Sequence, residues 1–336
     1  MPNKKHFLPI LLLLWGTICL FSYLYWHQTP KKEYLQIVTL NYRNGIDTSH
    51  GITMALFAYD IAEKKANLIA DLPVDPTYPV AYYDRKRNCV FYSDDKIGAG
   101  YDNLFQYDLD TKESKQITFG KNEFNDMFVV NDKLYLNVAP QYSTVMKPAI
   151  FNMDTYEITY LDETDDDTWY TSLSYHHRLK KLLALTHSDA EMRTHRVTAE
   201  THIRPKNIVM MEEGFQNQQT LYHTEDFEIC LTRQLDENHI LMTADKMMVS
   251  PEPRVLKLLE ISSGTVSDFP IPGIYEVYSF YPTDDGSRIF ILGRNDAWES
   301  NLYIYDFQTK KIDTVFHEGD LPSNHRNILD FIYTIY

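Results

Sequence analysis

Cysteine is scarce. The 336 residues hold three: Cys19 in an apolar run, and Cys89 and Cys230 far apart in strand-like segments. That excludes a disulfide framework and makes Cys89 and Cys230 expected buried thiols. Glycine is also scarce, at 12 residues, and the glycine-dependent site motifs are missing: there is no Gly-x-Ser-x-Gly elbow and no phosphate-binding glycine loop. No His-Glu-x-x-His pair occurs. Beyond Tyr34 no twelve-residue stretch carries a helical stripe, which leaves no room for an appended α/β hydrolase domain. Positive charge is short as well. Lys4 and Lys5 are the only charged side chains in the first 30 residues, so 31–336 carries 30 Lys and Arg against 47 Asp and Glu, a net of −17. A surface of that sign repels phosphate backbones, so nucleic acid is not an expected partner. A basic peptide, a cation or a basic protein face is compatible with it.

What is abundant points to strands. There are 25 Tyr and 17 Phe, residues that suit a half-buried pleated surface. The first 30 residues read differently. Residues 1–6 are short and basic, and Phe7 to Trp26 is an uncharged apolar run. About 20 helical residues span about 30 Å, the thickness of a bilayer core. Tyr23, Tyr25 and Trp26 gather at its far end, where amphipathic rings favour an interface. The run predicts a transmembrane signal anchor over 7–26 and a linker over 27–34, with 35–336 as one extracytoplasmic domain on a single-pass membrane protein. A cleaved signal peptide would want a shorter core and a small-residue site, but Gly16-Thr17 lies mid-run. Lipidation at Cys19 is opposed by Ile18 before it.

From Tyr34 onward a pattern repeats. Phe105-Gln106-Tyr107-Asp108-Leu109-Asp110-Thr111-Lys112 has counterparts in Phe57 to Lys64, Ile150 to Thr155, Leu259 to Gly264 and Tyr303 to Lys310. Each is an alternating strand, a polar turn and a second alternating strand. A degenerate copy, Asn207 to Glu212, fills the one double-length gap. Two further strands precede the hairpins, as in Pro79 to Tyr83 with Cys89 to Tyr92. Four strands every 45–55 residues, six times, is the period of a propeller blade. The first hairpin has only Gln36 to Leu40 before it, and Leu329 to Tyr336 is a lone strand at the end. Pairing these two would complete one blade and close the ring. The expected fold is therefore all-β: a six-bladed propeller of four-stranded blades, ring closed by the N- and C-terminal strands, preceded by one transmembrane helix. An open sandwich or two small β domains is the competing architecture.

The segment Tyr281-Pro282-Thr283-Asp284-Asp285-Gly286-Ser287-Arg288-Ile289-Phe290 resembles the Pro-Asp-Gly start of TolB-type, WD40-like propeller repeats. So do Asp102 to Leu109 and Ser300 to Asp306, although blade two replaces the turn with Asp84-Arg85-Lys86-Arg87-Asn88. The resemblance implies six blades and a peptide- or protein-binding role, and implies no particular activity. No α/β domain like the one preceding the propeller of TolB is legible.

Chemistry is hard to place by motif. The one histidine concentration is His176, His177, His187, His195 and His202, with Asp189, Glu191 and Glu200 nearby. Imidazole with carboxylate can ligate a divalent metal, so His187, His195 and His202 are the candidate metal residues, against the simpler reading of 187–205 as one long polar loop. No catalytic residue and no cofactor is assigned. Long loops concentrate binding, so this one is also a candidate recognition element. Asp162-Glu163-Thr164-Asp165-Asp166-Asp167 lacks the glycine and terminal glutamate of an EF-hand loop and reads as a solvated connection. The Tyr-Asp pairs at 59/60, 107/108 and 305/306 read as structural. Two functions stand: a membrane-tethered binding or scaffold propeller for a protein, peptide or cell-surface polymer, and a propeller lyase or hydrolase with a channel site, with or without a metal. Converging His, Arg and carboxylate groups in the channel would favour the second.

Overall fold

The computed structural model describes residues 32–42, 52–74, 79–95, 102–120, 123–140, 143–194, 203–245, 252–317 and 327–335. They form six four-stranded antiparallel sheets. Blade two is β4 (Ala81–Asp84), β5 (Cys89–Asp94), β6 (Asn103–Asp108) and β7 (Ser114–Gln116). Blade three is β8 (Phe124–Val130), β9 (Lys133–Val138), β10 (Lys147–Phe151) and β11 (Ile158–Tyr160). Blade four is β12 (Thr168–His176), β13 (Lys181–Ser188), β14 (Lys206–Glu212) and β15 (Gln216–Thr224). Blade five is β16 (Glu228–Gln234), β17 (His239–Asp245), β18 (Val255–Glu260) and β19 (Thr265–Asp268). Blade six is β20 (Ile274–Pro282), β21 (Arg288–Asn295), β22 (Ser300–Asp306) and β23 (Ile312–His317).

Blade one closes the ring as its ends predict. Its order is β24 (Asn327–Ile335), β1 (Glu33–Tyr42), β2 (Ile52–Asp60) and β3 (Lys65–Val74), so the last strand of the chain is its first in space. Ile37 pairs with Phe331 and Leu35 with Tyr333. All four of these side chains are buried in one cluster with Phe290 and Leu302 of blade six. Joining the termini therefore buries apolar surface between blades as well as satisfying the backbone of two edges.

Alternation builds the inter-blade cores. In β5 and β9 nearly every side chain is buried, because a middle strand has a blade packed on both faces. Polar turns then punctuate the strands. Asp60 Oδ1 accepts from the N–H groups of Ala62 and Glu63, Asp108 from those of Asp110 and Thr111, and Asp306 from those of Gln308 and Thr309. The recurring Asp of the Tyr-Asp pairs thus folds the hairpin turn by bonding its own backbone. The acidic turn is likewise internally bonded: Asp165 Oδ1 accepts from the N–H groups of Asp167 and Thr168.

Two buried lysines staple neighbouring blades. Lys147 opens β10 and donates to the Thr168 carbonyl, 3.0 Å away at the start of blade four. Lys206 opens β14 and sits 2.8 Å from Glu228 at the start of blade five. They occupy equivalent places in successive blades.

One part of the expected fold class is corrected. No helix among the described residues is long and apolar enough to cross a membrane. Their one α-helix, α1 (Asp189–Thr194), has six residues, buries none of them and carries Asp189, Glu191 and Arg193. Six residues rise only about 9 Å, against the roughly 30 Å of a bilayer core. The segment 7–26, on which the expected transmembrane helix and membrane contact fall, lies outside the described residues. The anchor is not carried further.

Candidate functional site

Six inner strands, β24, β4, β8, β12, β16 and β20, surround the central channel, and its two ends differ. The end at which these strands begin opens into a cavity of about 380 Å³. Its walls come from five blades and include Val80, Asn125, Cys230, Leu329 and Ile332. Leu329 is 40% exposed there. Asp330 stands beside it, its carboxyl raised above the usual range by burial. Arg254 reaches the rim and is held 3.2 Å from Asp245. The cavity thus combines apolar walls with an acidic group whose charge is poorly solvated.

Deeper in, a polar network crosses the inner strands. Arg233 of β16 is buried; its Nη1 lies 3.3 Å from Ser172 Oγ and 2.8 Å from the Thr232 carbonyl, and its Nη2 donates to Tyr281 Oη at 2.9 Å. The guanidinium also lies 4.3 Å from the Tyr281 ring centroid. Asp126 of β8 accepts from the Leu173 N–H at 3.0 Å and from Asn137 Nδ2 at 3.3 Å. Burial pushes its carboxyl up to about 6, Arg233 and the two donors opposing and Asp330 adding to the rise. Burial likewise pushes the Tyr281 hydroxyl up to about 12.

The far end is narrow among the described residues. His176 Nδ1 lies 3.1 Å from Asp284 Oδ1, and the same carboxylate accepts the Arg178 N–H at 2.8 Å. Burial raises the Asp284 carboxyl, but these partners outweigh it and hold it below the usual range. Between this pair and Arg233, Gln234, Tyr281 and Tyr333 only about 30 Å³ of space is left, room for a single water. His176 Nε2, Arg233 Nε and Gln234 Oε1 have no protein partner. Asp284 belongs to the turn that resembles TolB-type repeats; here that turn reaches across to His176 and Arg178 of blade four.

Of the candidate metal histidines only His187 lies among the described residues. His187 is buried, stacked on Trp169 at 5.7 Å, and its imidazole is pushed down to about 4 by burial and by Lys206 and Arg204. It lies at the end of β13, its ring packed on the Trp169 indole. His195 and His202 lie outside the described residues, as does Glu200. The connection expected as one loop begins with α1, which places Glu191 beside His223 and Glu225 instead. Sequence reasoning missed Asp126, Arg233, Tyr281 and Asp330. The available signal was a charge at an inward position of an apolar strand, as in Ile328-Leu329-Asp330-Phe331.

No protein-family model matches the sequence, and no curated protein matches it. Solved structures do match. TolB from Acinetobacter baumannii superposes with a TM-score of 0.56 at 12% identity, covering 89% of this chain and 66% of that one. A putative TolB from Agrobacterium tumefaciens gives 0.55 at 8% identity, covering 91% and 98%. An oligogalacturonate lyase in complex with manganese gives 0.52 at 12%, covering 83% and 73%. This chain therefore spans just under two thirds of the first TolB. At such identities the likeness is one of fold, and the TolB-like six-bladed propeller expected from the repeat is what these chains share.

Proposed function

We propose that the chain is a binding propeller that takes a basic segment of a protein or peptide into the open mouth of its channel. The observation that carries this reading is the cavity among the described residues at the end where the inner strands begin: apolar walls from five blades, Leu329 at the edge, and Asp330 inside, its carboxyl raised by burial although Ser279, the Phe331 N–H and Arg233 oppose the rise. Apolar walls with a few convergent polar groups suit ligand capture. A lysine or arginine side chain would bring further counter-charge to Asp330, and the net charge of −17 over residues 31–336 would steer it there.

The test is fluorescence anisotropy of the full-length chain with a lysine-rich and a glutamate-rich peptide. The lysine-rich peptide binds, and both Leu329→Arg and Asp330→Asn weaken it at least about tenfold, the loss of one charged or well-packed contact. Equal binding of the two peptides, or no effect of either substitution, contradicts the proposal.

One observation favours the second reading, a channel enzyme. Asp126, at about 6, is poised for proton transfer near neutral pH beside Arg233 and Tyr281. The fold shared with an oligogalacturonate lyase makes acidic oligosaccharide a defined probe. Turnover of it that is lost in Asp126→Asn would select this reading; no turnover removes it.

A further inference from the structure

Away from the channel, the outer rim of blade four brings together three side chains that the polar network does not use. The ligand atoms of Glu191, His223 and Glu225 all lie within 4.8 Å of one another. They come from separate elements. Glu191 is on α1, His223 near the end of β15, and Glu225 just beyond it. His223 Nε2 sits 3.3 Å from Glu225 Oε1 and 3.8 Å from Glu191 Oε1.

A second, independent observation concerns the other ring nitrogen. Asn207, the cross-strand partner of His223, places Oδ1 2.9 Å from Nδ1. A carbonyl oxygen only accepts, so Nδ1 carries a hydrogen, and Nε2, which faces the two carboxylates, is the nitrogen whose proton a metal ion would displace. A hydrogen-bonded outer nitrogen of this kind fixes the tautomer and orientation of a metal-ligating histidine. Asn207 belongs to neither carboxylate and has no ion-pairing use there.

The carrier of Glu191 is also held. The Ala190 N–H donates to Asp167 Oδ1 at 2.7 Å, and the Glu191 N–H to Ser188 Oγ at 3.1 Å. α1 is short, but its start is tied to the blade. The three side chains are partly exposed, at 30%, 40% and 49%, so an ion has an entry path and room for water ligands.

We propose that Glu191, His223 and Glu225 bind one first-row divalent transition-metal ion of the Mn²⁺ or Zn²⁺ class. One imidazole nitrogen with two carboxylate oxygens is a borderline donor set. Zinc sits about 2.0–2.2 Å from such ligands, so small side-chain shifts close the present spacing. Calcium wants six to eight oxygens and is poorly served. The bound ion would tie α1, which opens the connection from β13 to β14, to the outer strand of the blade. None of the three residues lines the channel cavity, so this site stands or falls independently of the channel reading.

The experiment is isothermal titration of the full-length chain with ZnCl₂ and with MnCl₂, alongside thermal melts. One equivalent binds, and saturating metal raises the melting temperature, because a ligand of the native state alone stabilises it. His223→Ala weakens binding at least about 100-fold and Glu191→Gln at least about tenfold. Asn207→Leu keeps the stoichiometry and loses about 10–100-fold in affinity through the unoriented ring. Circular dichroism checks that each variant folds, and Glu191→Gln, at a partly exposed position, keeps the test alive if His223→Ala does not. No binding of either metal up to about 1 mM overturns the proposal. So does binding that His223→Ala and Glu191→Gln leave at the parental affinity, which would put the ion on other histidines of the chain.

Discussion

At its lower end the channel is narrowed by side chains that hold one another: His176 on Asp284, Asp284 on the Arg178 backbone, Arg233 on Tyr281. At its upper end five of the blades line a cavity of about 380 Å³ in which Asp330 carries a raised carboxyl and Leu329 stands exposed. The lower end follows from turn chemistry. Thr283 and Asp285 bond within their own turn, and Gly286, at φ +70°, lies so close to the Leu235 carbonyl that a Cβ would meet it at 3.0 Å. At the upper end Arg254 holds Asp245 and Asp330 accepts the Phe331 N–H at 2.8 Å, yet burial still leaves the Asp330 carboxyl raised. Polar groups that satisfy one another stabilise; polar groups left to burial alone are available for a ligand.

The largest break of this contrast removes both ends at once. Deleting 327–336 takes away the inner strand of blade one and strips the partner from β1, which pairs with it from Glu33 to Leu40. The shortened chain should show no cooperative thermal transition by circular dichroism; a melt at the parental temperature would sink the ring-closure account.

Two titrations come next, with opposite signs. Asp126 has its carboxyl raised to about 6 in the fold against 3.8 ordinarily, so the stability it contributes is full below about pH 4 and is lost as pH rises through 6. Asp126→Asn should therefore stabilise the chain at pH 7 by about 1–3 kcal/mol, and by little at pH 4, in urea titrations. His187 is lowered to about 4 from 6.5, so its contribution is present above about pH 6.5 and is lost as pH falls through 4. His187→Phe keeps the stack on Trp169 and should flatten that acid loss. A variant curve parallel to the parent's between pH 4 and 6.5 would show that His187 titrates normally.

Asp284→Ala sharpens the comparison at the floor. It leaves the buried His176 ring and the Arg178 N–H without their acceptor, and should cost about 2 kcal/mol by chemical denaturation. Leu329→Ser at the mouth should stay within about 0.5 kcal/mol, because an exposed side chain outside any network carries little stability. Equal costs at the two positions would erase the distinction. The smallest expected change is at a single hairpin: Asp306→Ala removes the acceptor for the Gln308 and Thr309 N–H groups and should cost about 1 kcal/mol.

The same contrast explains what the sequence made legible. Period, blade count and ring closure could be read because each hairpin repeats an apolar-polar alternation ending in Asp, Ser, Thr or Gly, and those residues bond locally. Even blade four, whose copy is degenerate, was reached by counting, and β14 spans Lys206–Glu212 where the gap required it. The site was not legible. Asp126, Arg233, Tyr281 and Asp330 lie on four different strands, each with only its own neighbours in sequence, and they meet because the ring closes. His187 drew attention as one of several histidines, while the ring that faces two carboxylates is His223, two strands later. A linear search weights clusters in sequence, and a propeller assembles its chemistry across blades.

The most direct test of the account concerns which end receives a ligand. A photo-crosslinking amino acid is placed at Leu329, in the channel mouth, and in a separate chain at Leu68, 51% exposed on the outer strand of blade one. The full-length proteins are irradiated in the cells that make them, and adducts are identified by mass spectrometry. The account predicts a recurrent polypeptide adduct from 329, through a lysine- or arginine-rich segment, and none of the same identity from 68. Equal labelling from both positions, or recurrent adducts from 68 alone, would contradict the assignment of binding to the channel mouth.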